Sequence, residues 1–289
     1  MRSVQRYQKA ASVAEALAAK TADPSAAWLA GGTFLLAGDG RDKPASVIDV
    51  GNALPSAIVI RDGTLEIGAG ATFQAIVDSA LPPILRDAAL AMSDRNVRNR
   101  ATLGGNLGAR KSCSSLIPSL LALDAEVEIA GRSPAFIPLR EWLDSCAQDP
   151  EAGNAELVLG ARARLDPARL GAYLRWSRTS CDLALISVAV SFVLDGTVVS
   201  GLRIALGGMG PHSRRFPEIE SMLELSPLPE REVIEAIVAP RLDPIDDLRA
   251  SAGFKRLRGS LLVADAMHVA AGRISRDEVS SPPLEENCP

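Results

Sequence analysis

The chain has 289 residues, 47% of them hydrophobic and 23% charged. That composition is ordinary for a globular protein, allows two domains of roughly 100–200 residues, and excludes a globally disordered chain. Lys and Arg number 31 against 35 Asp and Glu, a net charge of −4, which argues against a nucleic-acid binder because such proteins present a strongly basic face.

In chain order, Ser12 followed by Glu15 has capping-box spacing and predicts a helix over VAEALAAK. The short apolar strand AAWLA then runs into Gly31-Gly32. Ala57 to Ile60 and Thr64 to Gly68 read as strands joined through Asp62-Gly63, the turn chemistry of a tight hairpin. Thr72 to Ala80 and Pro83 to Met92 read as helices, the second with proline in its first turn. A glycine-bearing loop over Thr102 to Gly108 is followed by an apolar helix, SLIPSLLALD, and the strand EVEIA. The polar segment from Cys146 to Asn154 reads as a surface loop or the start of a linker. Leu157 to Leu165 and Ser187 to Leu194 are strand-like, and Asp195-Gly196 turns into a further strand, TVVSGLRIAL. The last third is helical at Arg231 to Val238 and Gly259 to Gly272. No internal repeat is visible, so two domains joined near Ala172 is the economical organisation.

Cys113, Cys146, Cys181 and Cys288 are scattered and form no CxxC pair, the pattern of a reduced, cytoplasmic chain. The N-terminus lacks the apolar stretch of a signal peptide, and no run is long enough to span a membrane. His212 and His268 stand apart from each other and from the cysteines, so an intrinsic metal centre is not expected.

Two glycine pairs carry the candidate chemistry: Ala30-Gly31-Gly32-Thr33 after a strand, and Thr102-Leu103-Gly104-Gly105-Asn106 before a helix. Glycine lets main-chain N–H groups approach an anion closely, and consecutive amides in such a turn form a concave nest suited to phosphate. Each pair reads either as a plain tight turn or as half of a grip on a diphosphate. No GxGxxG and no GxxxxGK[ST] is present, which disfavours an ordinary Rossmann or P-loop site. Arg95, Arg98, Arg100, Arg110 and Lys111 cluster around the second pair, either as a solvated face or as charge for a diphosphate or an acidic partner. Cys113 is either a small buried filler or a thiol activated by that charge.

LAGGTFLL at Leu29 to Leu36, VIDVGNA at Val47 to Ala53 and VRNRATLGGNLGA at Val97 to Ala109 occur in this order. PSLLALDAEVE at Pro118 to Glu128, SRTSCDLALISVAVSF at Ser177 to Phe192 and FKRLRGSLLVADA at Phe254 to Ala266 follow them. Together these segments resemble the flavin-binding medium subunit of the molybdenum hydroxylases, the xanthine dehydrogenase and carbon monoxide dehydrogenase group. The resemblance runs from about Val4 to Ala271; AGGT and RNRxTxGGN at this separation are specific only as a pair.

The resemblance implies an α+β fold. Residues 1–172 would form an FAD-binding domain of the p-cresol methylhydroxylase type, two subdomains with FAD between them. Residues 173–275 would form a smaller C-terminal domain with an antiparallel sheet, and 276–289 a disordered tail. Leu29, Ala30, Gly31, Gly32, Thr33, Phe34 and Leu35 would wrap the diphosphate, and Thr102, Gly104, Gly105 and Asn106 would close on it. Leu157 and Val158 match apolar positions near the flavin or adenine, and Arg175 a position that is often basic. Ser115, before Leu116, stands where relatives commonly have an Asp that binds FAD hydroxyls. Phe34 replaces a frequent polar residue, and Arg110 to Ser114 replace an Ala-Ser-Pro pattern.

Implied partners are a molybdenum cofactor-binding large subunit and a 2Fe-2S small subunit, with NAD or another molecule as electron acceptor. The chain itself would supply no acid/base residue and no metal ligand. A stand-alone flavin oxidase and a flavin-free structural subunit of the same kind of complex are the alternatives.

Overall fold

The computed structural model describes residues 4–37, 43–133 and 135–272; the tail expected at 276–289 lies outside them. The chain begins with a small parallel sheet of β1 (Arg6–Lys9), β2 (Ala27–Leu29) and β3 (Ser46–Asp49), with β3 in the centre. The helix α1 (Val13–Ala22) connects β1 to β2. Its capping box is formed as the sequence predicts: Ser12 Oγ accepts from Glu15 N at 3.2 Å, and Glu15 reaches back to Ala11 N at 2.8 Å.

A second sheet is antiparallel throughout, in the order β4-β5-β8-β6-β7. It is built from β4 (Ile58–Arg61), β5 (Thr64–Gly68), β6 (Glu126–Ile129), β7 (Phe136–Pro138) and β8 (Val158–Arg164). Asp62 and Gly63 both take positive φ, 51° and 73°, the backbone of a type I′ hairpin turn. Helices α2 (Phe73–Asp78), α3 (Pro83–Leu90), α4 (Arg95–Arg98), α5 (Leu103–Ala109) and α6 (Leu116–Ala122) run between β5 and β6.

Two expectations are corrected here. The segment Cys146 to Asn154 is the junction of two helices, α7 (Leu139–Gln148) and α8 (Pro150–Ala155). In α7, Leu139, Trp142, Leu143 and Cys146 recur at helical spacing and are buried. Pro150 opens α8 at a position where its missing N–H costs nothing, with Asp149 accepting from Ala152 N at 3.0 Å. The second glycine pair also lies in a helix, α5, and not in a loop before one: Thr102 is its N-cap, accepting from Gly105 N at 3.1 Å.

The C-terminal part is a four-stranded antiparallel sheet, β12-β11-β10-β9, of β9 (Arg169–Trp176), β10 (Ile186–Asp195), β11 (Val198–Gly207) and β12 (Arg214–Arg215). It carries α9 (Pro217–Leu223), α10 (Arg231–Val238), a 3-10 turn (Ala239–Arg241) and α11 (Ala252–Ala270). Ala172 lies inside β9, a strand with no clear signal in the sequence.

The two faces of this sheet serve different cores. Val188, Val190, Ile204 and Leu206 pack with α11 residues such as Leu262 and Val263. Tyr173, Ala189 and Ala205, aligned across three strands, belong to the core of the preceding domain. The second face can approach that domain closely where its residues are small: a Cβ at Gly171 would stand 3.3 Å from Ile84 of α3. Ser191 Oγ donates to Ala122 O at the end of α6, at 2.5 Å.

On α11 the fully buried Lys255 donates from Nζ to Ile245 O at 2.9 Å and pairs with Asp247 at 2.7 Å. Burial pushes the Asp247 carboxyl up, but Lys255 and the amides of Arg249 and Ala250 outweigh it and hold the group below its usual value of 3.8. Among the described residues no helix is long and apolar enough to cross a membrane.

Candidate cofactor site

The chain leaves the first sheet at Leu29, whose carbonyl accepts from Val50 N at 2.8 Å. It then curls: Leu36 N donates to Gly32 O at 3.0 Å and Ala37 N to Phe34 O at 3.2 Å, while Gly32 takes a φ of 72°. The N–H groups of Gly31, Gly32, Thr33, Phe34 and Leu35 find no acceptor among the described residues. Consecutive unpartnered donors on one turn make a concave, partly positive surface that suits an anion.

Gly31 is where this loop meets the other glycine segment. A Cβ on it would lie 1.8 Å from Arg100 O and 3.2 Å from Ala101 Cα, and Arg100 Nε donates to Gly31 O at 3.3 Å. Three residues beyond Ala101 is Gly104, so the two segments converge in space.

The second segment contributes shape more than free main-chain donors. Gly104 N donates to Ala69 O at 2.8 Å, Gly105 N to the Thr102 hydroxyl, and Asn106 N to Thr102 O at 3.0 Å. Gly104 has no positive φ; it is needed for contact, because a Cβ there would stand 2.8 Å from Ala69 Cβ. Asn106 Oδ1 accepts from Leu116 N at 3.3 Å, and the Asn106 carbonyl accepts from Ser114 Oγ at 3.3 Å. Asn106 thereby fixes the turn that presents Ser115, whose hydroxyl is buried with no partner among the described residues. Leu157 and Val158 are buried at the head of β8, and the next residue's carbonyl accepts from Ala69 N at 2.8 Å. Ala69 therefore links β8 to Gly104.

The basic cluster divides by task. Arg98 is internal bracing, donating to Gln74 Oε1 at 3.1 Å and Ser93 O at 2.8 Å. Arg110 caps α5 at a φ of 47° and reaches Asn154 Oδ1 at 2.6 Å. Arg100 and Lys111 are exposed and face the first loop: Arg100 through the Gly31 carbonyl, Lys111 with Nζ 5.4 Å from the centre of the Phe34 ring. Arg175 spends its guanidinium on carbonyls of its own following loop, Asp182 O at 2.9 Å and Ser180 O, so it holds that loop in place.

Sequence reasoning gave no hint of Tyr173, Ser187 and Ser213, whose hydroxyls are buried near the domain junction. Their residue types in strands and turns carry no distinguishing pattern. Burial pushes the Tyr173 phenol up to about 12, so it stays a protonated donor at neutral pH.

A dinucleotide diphosphate suits what is present. Among the described residues, amides without acceptors line a loop that opens on two glycines, two cations flank it, and a buried hydroxyl without a partner lies beyond the second segment.

Comparison with known proteins agrees. Residues 2–162 match the family model described as the FAD binding domain in molybdopterin dehydrogenase, and residues 171–269 the CO dehydrogenase flavoprotein C-terminal domain. The chain is 31% identical over 264 residues to the uncharacterized protein YgfM of Escherichia coli strain K12, covering 91% of this chain and 95% of that one. It is 27% identical to the xanthine dehydrogenase FAD-binding subunit of Escherichia coli O157:H7, over 93% and 98% of the two chains. A chain of the carbon monoxide dehydrogenase from Hydrogenophaga pseudoflava superimposes with a TM-score of 0.84 at 24% identity, over 95% of this chain and 100% of that one, which shows a common fold.

Proposed function

The chain belongs to the flavoprotein family built on the FAD-binding domain of molybdopterin dehydrogenases, and from that membership we propose that it is the electron-transfer subunit of a molybdenum hydroxylase complex. The observation that carries the site is the row of acceptorless amides from Gly31 to Leu35, lying where Gly31 packs on Arg100 and Ala101.

These amides receive the diphosphate oxygens, and Ala30 and Leu29 anchor the loop to the first sheet. Thr102, Gly104, Gly105 and Asn106 form the opposite wall through packing, with Asn106 fixing Ser115 and Leu116 so that the Ser115 hydroxyl can bind a cofactor hydroxyl. Leu157 and Val158 back the apolar part of the site, and Arg175 holds the loop after β9. When bound, FAD supplies the redox chemistry, between a 2Fe-2S partner subunit and an acceptor such as NAD. Substrate hydroxylation belongs to a separate molybdenum-binding large subunit. Cys113, Cys146 and Cys181 are free thiols, in keeping with a cytoplasmic setting.

The test is optical. Purified full-length protein given FAD and freed of excess is expected to keep a flavin spectrum at one equivalent. Gly104→Val, which drives a side chain into Ala69, is expected to weaken binding by at least about tenfold, equivalent to roughly 1.4 kcal/mol. Stoichiometric flavin in that variant would remove Gly104 from the site. A colourless wild-type chain that refuses FAD yet co-purifies with an iron–sulfur protein would favour the flavin-free structural subunit, for which the lost carboxylate at Ser115 is the supporting observation. Reduction of the bound flavin by a small substrate, with no partner present, would favour the stand-alone oxidase.

A further inference from the structure

At the mouth of the amide row stand two residues that the diphosphate grip itself does not require. Phe34 is an aromatic side chain left 50% exposed on the first loop. Lys111, exposed on the turn after α5, holds its ammonium 5.4 Å from the centre of the Phe34 ring. The two residues come from different segments of the site: Phe34 from the loop after β2, Lys111 from the turn that follows the Gly104 helix. Lys111 makes no ion pair with a carboxylate among the described residues, and the Arg100 guanidinium is likewise bonded only to a carbonyl. Among the described residues, two cations without a carboxylate partner therefore border five donors without an acceptor. A chain with net charge −4 has carboxylates to spare, yet among the described residues none is paired with either cation.

We propose that Phe34 and Lys111 are a clasp between the two loops, retaining the dinucleotide by a cation–π contact that joins them and places the ammonium beside the diphosphate. Lys111 is thus a positioning residue and a charge partner, and Phe34 keeps its flexible chain from swinging into solvent. An ammonium over an aromatic face is attracted by the ring quadrupole, more so once water is excluded. The clasp acts on release more than on capture, since contacts made after docking slow dissociation. This rests on the cofactor reading above and adds to it which residues govern how long the cofactor stays.

The experiment measures FAD release from the full chain by flavin fluorescence after dilution, for the wild type, Phe34→Leu, Lys111→Met, the double variant and Lys111→Arg. Circular dichroism checks that each is folded. Each of the first two substitutions is expected to speed release about fivefold, the size of one moderately shielded cation–π contact. The double variant should release little faster than the faster single one, because the contact can be lost only once. Lys111→Arg should stay near wild type, and Lys111→Met should show a weaker salt dependence. If the wild type retains FAD and both single variants release it at the wild-type rate, or if the double variant shows the product of the two effects, the clasp is wrong. A wild-type chain that binds no FAD overturns the cofactor reading itself, an outcome visible before any variant is made.

Discussion

Gly31→Val is expected to abolish flavin binding and to lower the melting temperature by about 10 °C, on the scale of roughly 3 kcal/mol at 2–4 °C per kcal/mol for a chain of this size. The cause is a collision between two backbones. A Cβ at this position would lie 1.8 Å from Arg100 O, less than the length of any non-bonded contact, and no rotamer change can relieve it because the obstacle is a carbonyl. Either the loop after β2 or the segment before Thr102 must move, and both carry parts of the cofactor site. Gly32 offers a control on the same loop: with its φ of 72°, Gly32→Ala incurs a conformational penalty of about 1–2 kcal/mol while its neighbours, flexible leucine side chains at 3.3 Å, can yield. Flavin absorbance and differential scanning fluorimetry read both effects. Full flavin occupancy and an unchanged melting point in Gly31→Val would mean that the two loops do not meet as described.

Lys255→Met is expected to destabilise the C-terminal part by roughly 3 kcal/mol, near the lower end of the range for breaking a buried pair. The lower end applies because the Asp247 side chain left behind is 31% exposed and keeps part of its hydration. Methionine fills much of the volume but donates nothing to Ile245 O, which loses a 2.9 Å hydrogen bond. The substitution should also alter the pH response. In the folded protein the Asp247 carboxyl lies below 3.8, so it contributes stability that is present above the unfolded value and is lost as pH falls through the folded one. Without Lys255 that depression shrinks, and the stability gap between wild type and variant should narrow as pH falls below about 4. Urea melts at neutral and acidic pH check this; a constant gap between the two proteins across that range would assign Lys255 a packing role alone.

Local chemistry was legible in the sequence where the deciding interaction lies within a few residues. Ser12 and Glu15 make their capping box, and Asp62-Gly63 makes its hairpin, because both patterns are satisfied by their own neighbours. The two glycine pairs, together with four further segments in order, carried the family resemblance. Errors arose where a distant contact decides. Gly104 and Gly105 look like a loop by intrinsic preference, yet the contact with Ala69 and the Thr102 cap make them helical. Pro150 and Gly153 look like breakers, but proline is well placed at a helix start, and Gly153 leaves room for Cys146, whose Sγ would lie 2.8 Å from a Cβ there. β9 was hidden because it is packed on both faces, so RLGAYLRW shows no polar alternation. The contact of Lys111 with Phe34 joins residues far apart in sequence, and only the fold brings them together.

The sheet of β9 to β11 contributes one face to each of the two cores. Tyr173, Ala189 and Ala205 cannot leave the first core without carrying away the strands that hold Val188, Val190 and Ile204 in the second. The chain is therefore built to melt in a single step, and a truncated piece ending before residue 169 would leave α3 and α6 bare. Such a fragment would bury its uncovered surface by sticking to copies of itself, so this flavoprotein cannot be divided into two independently useful halves.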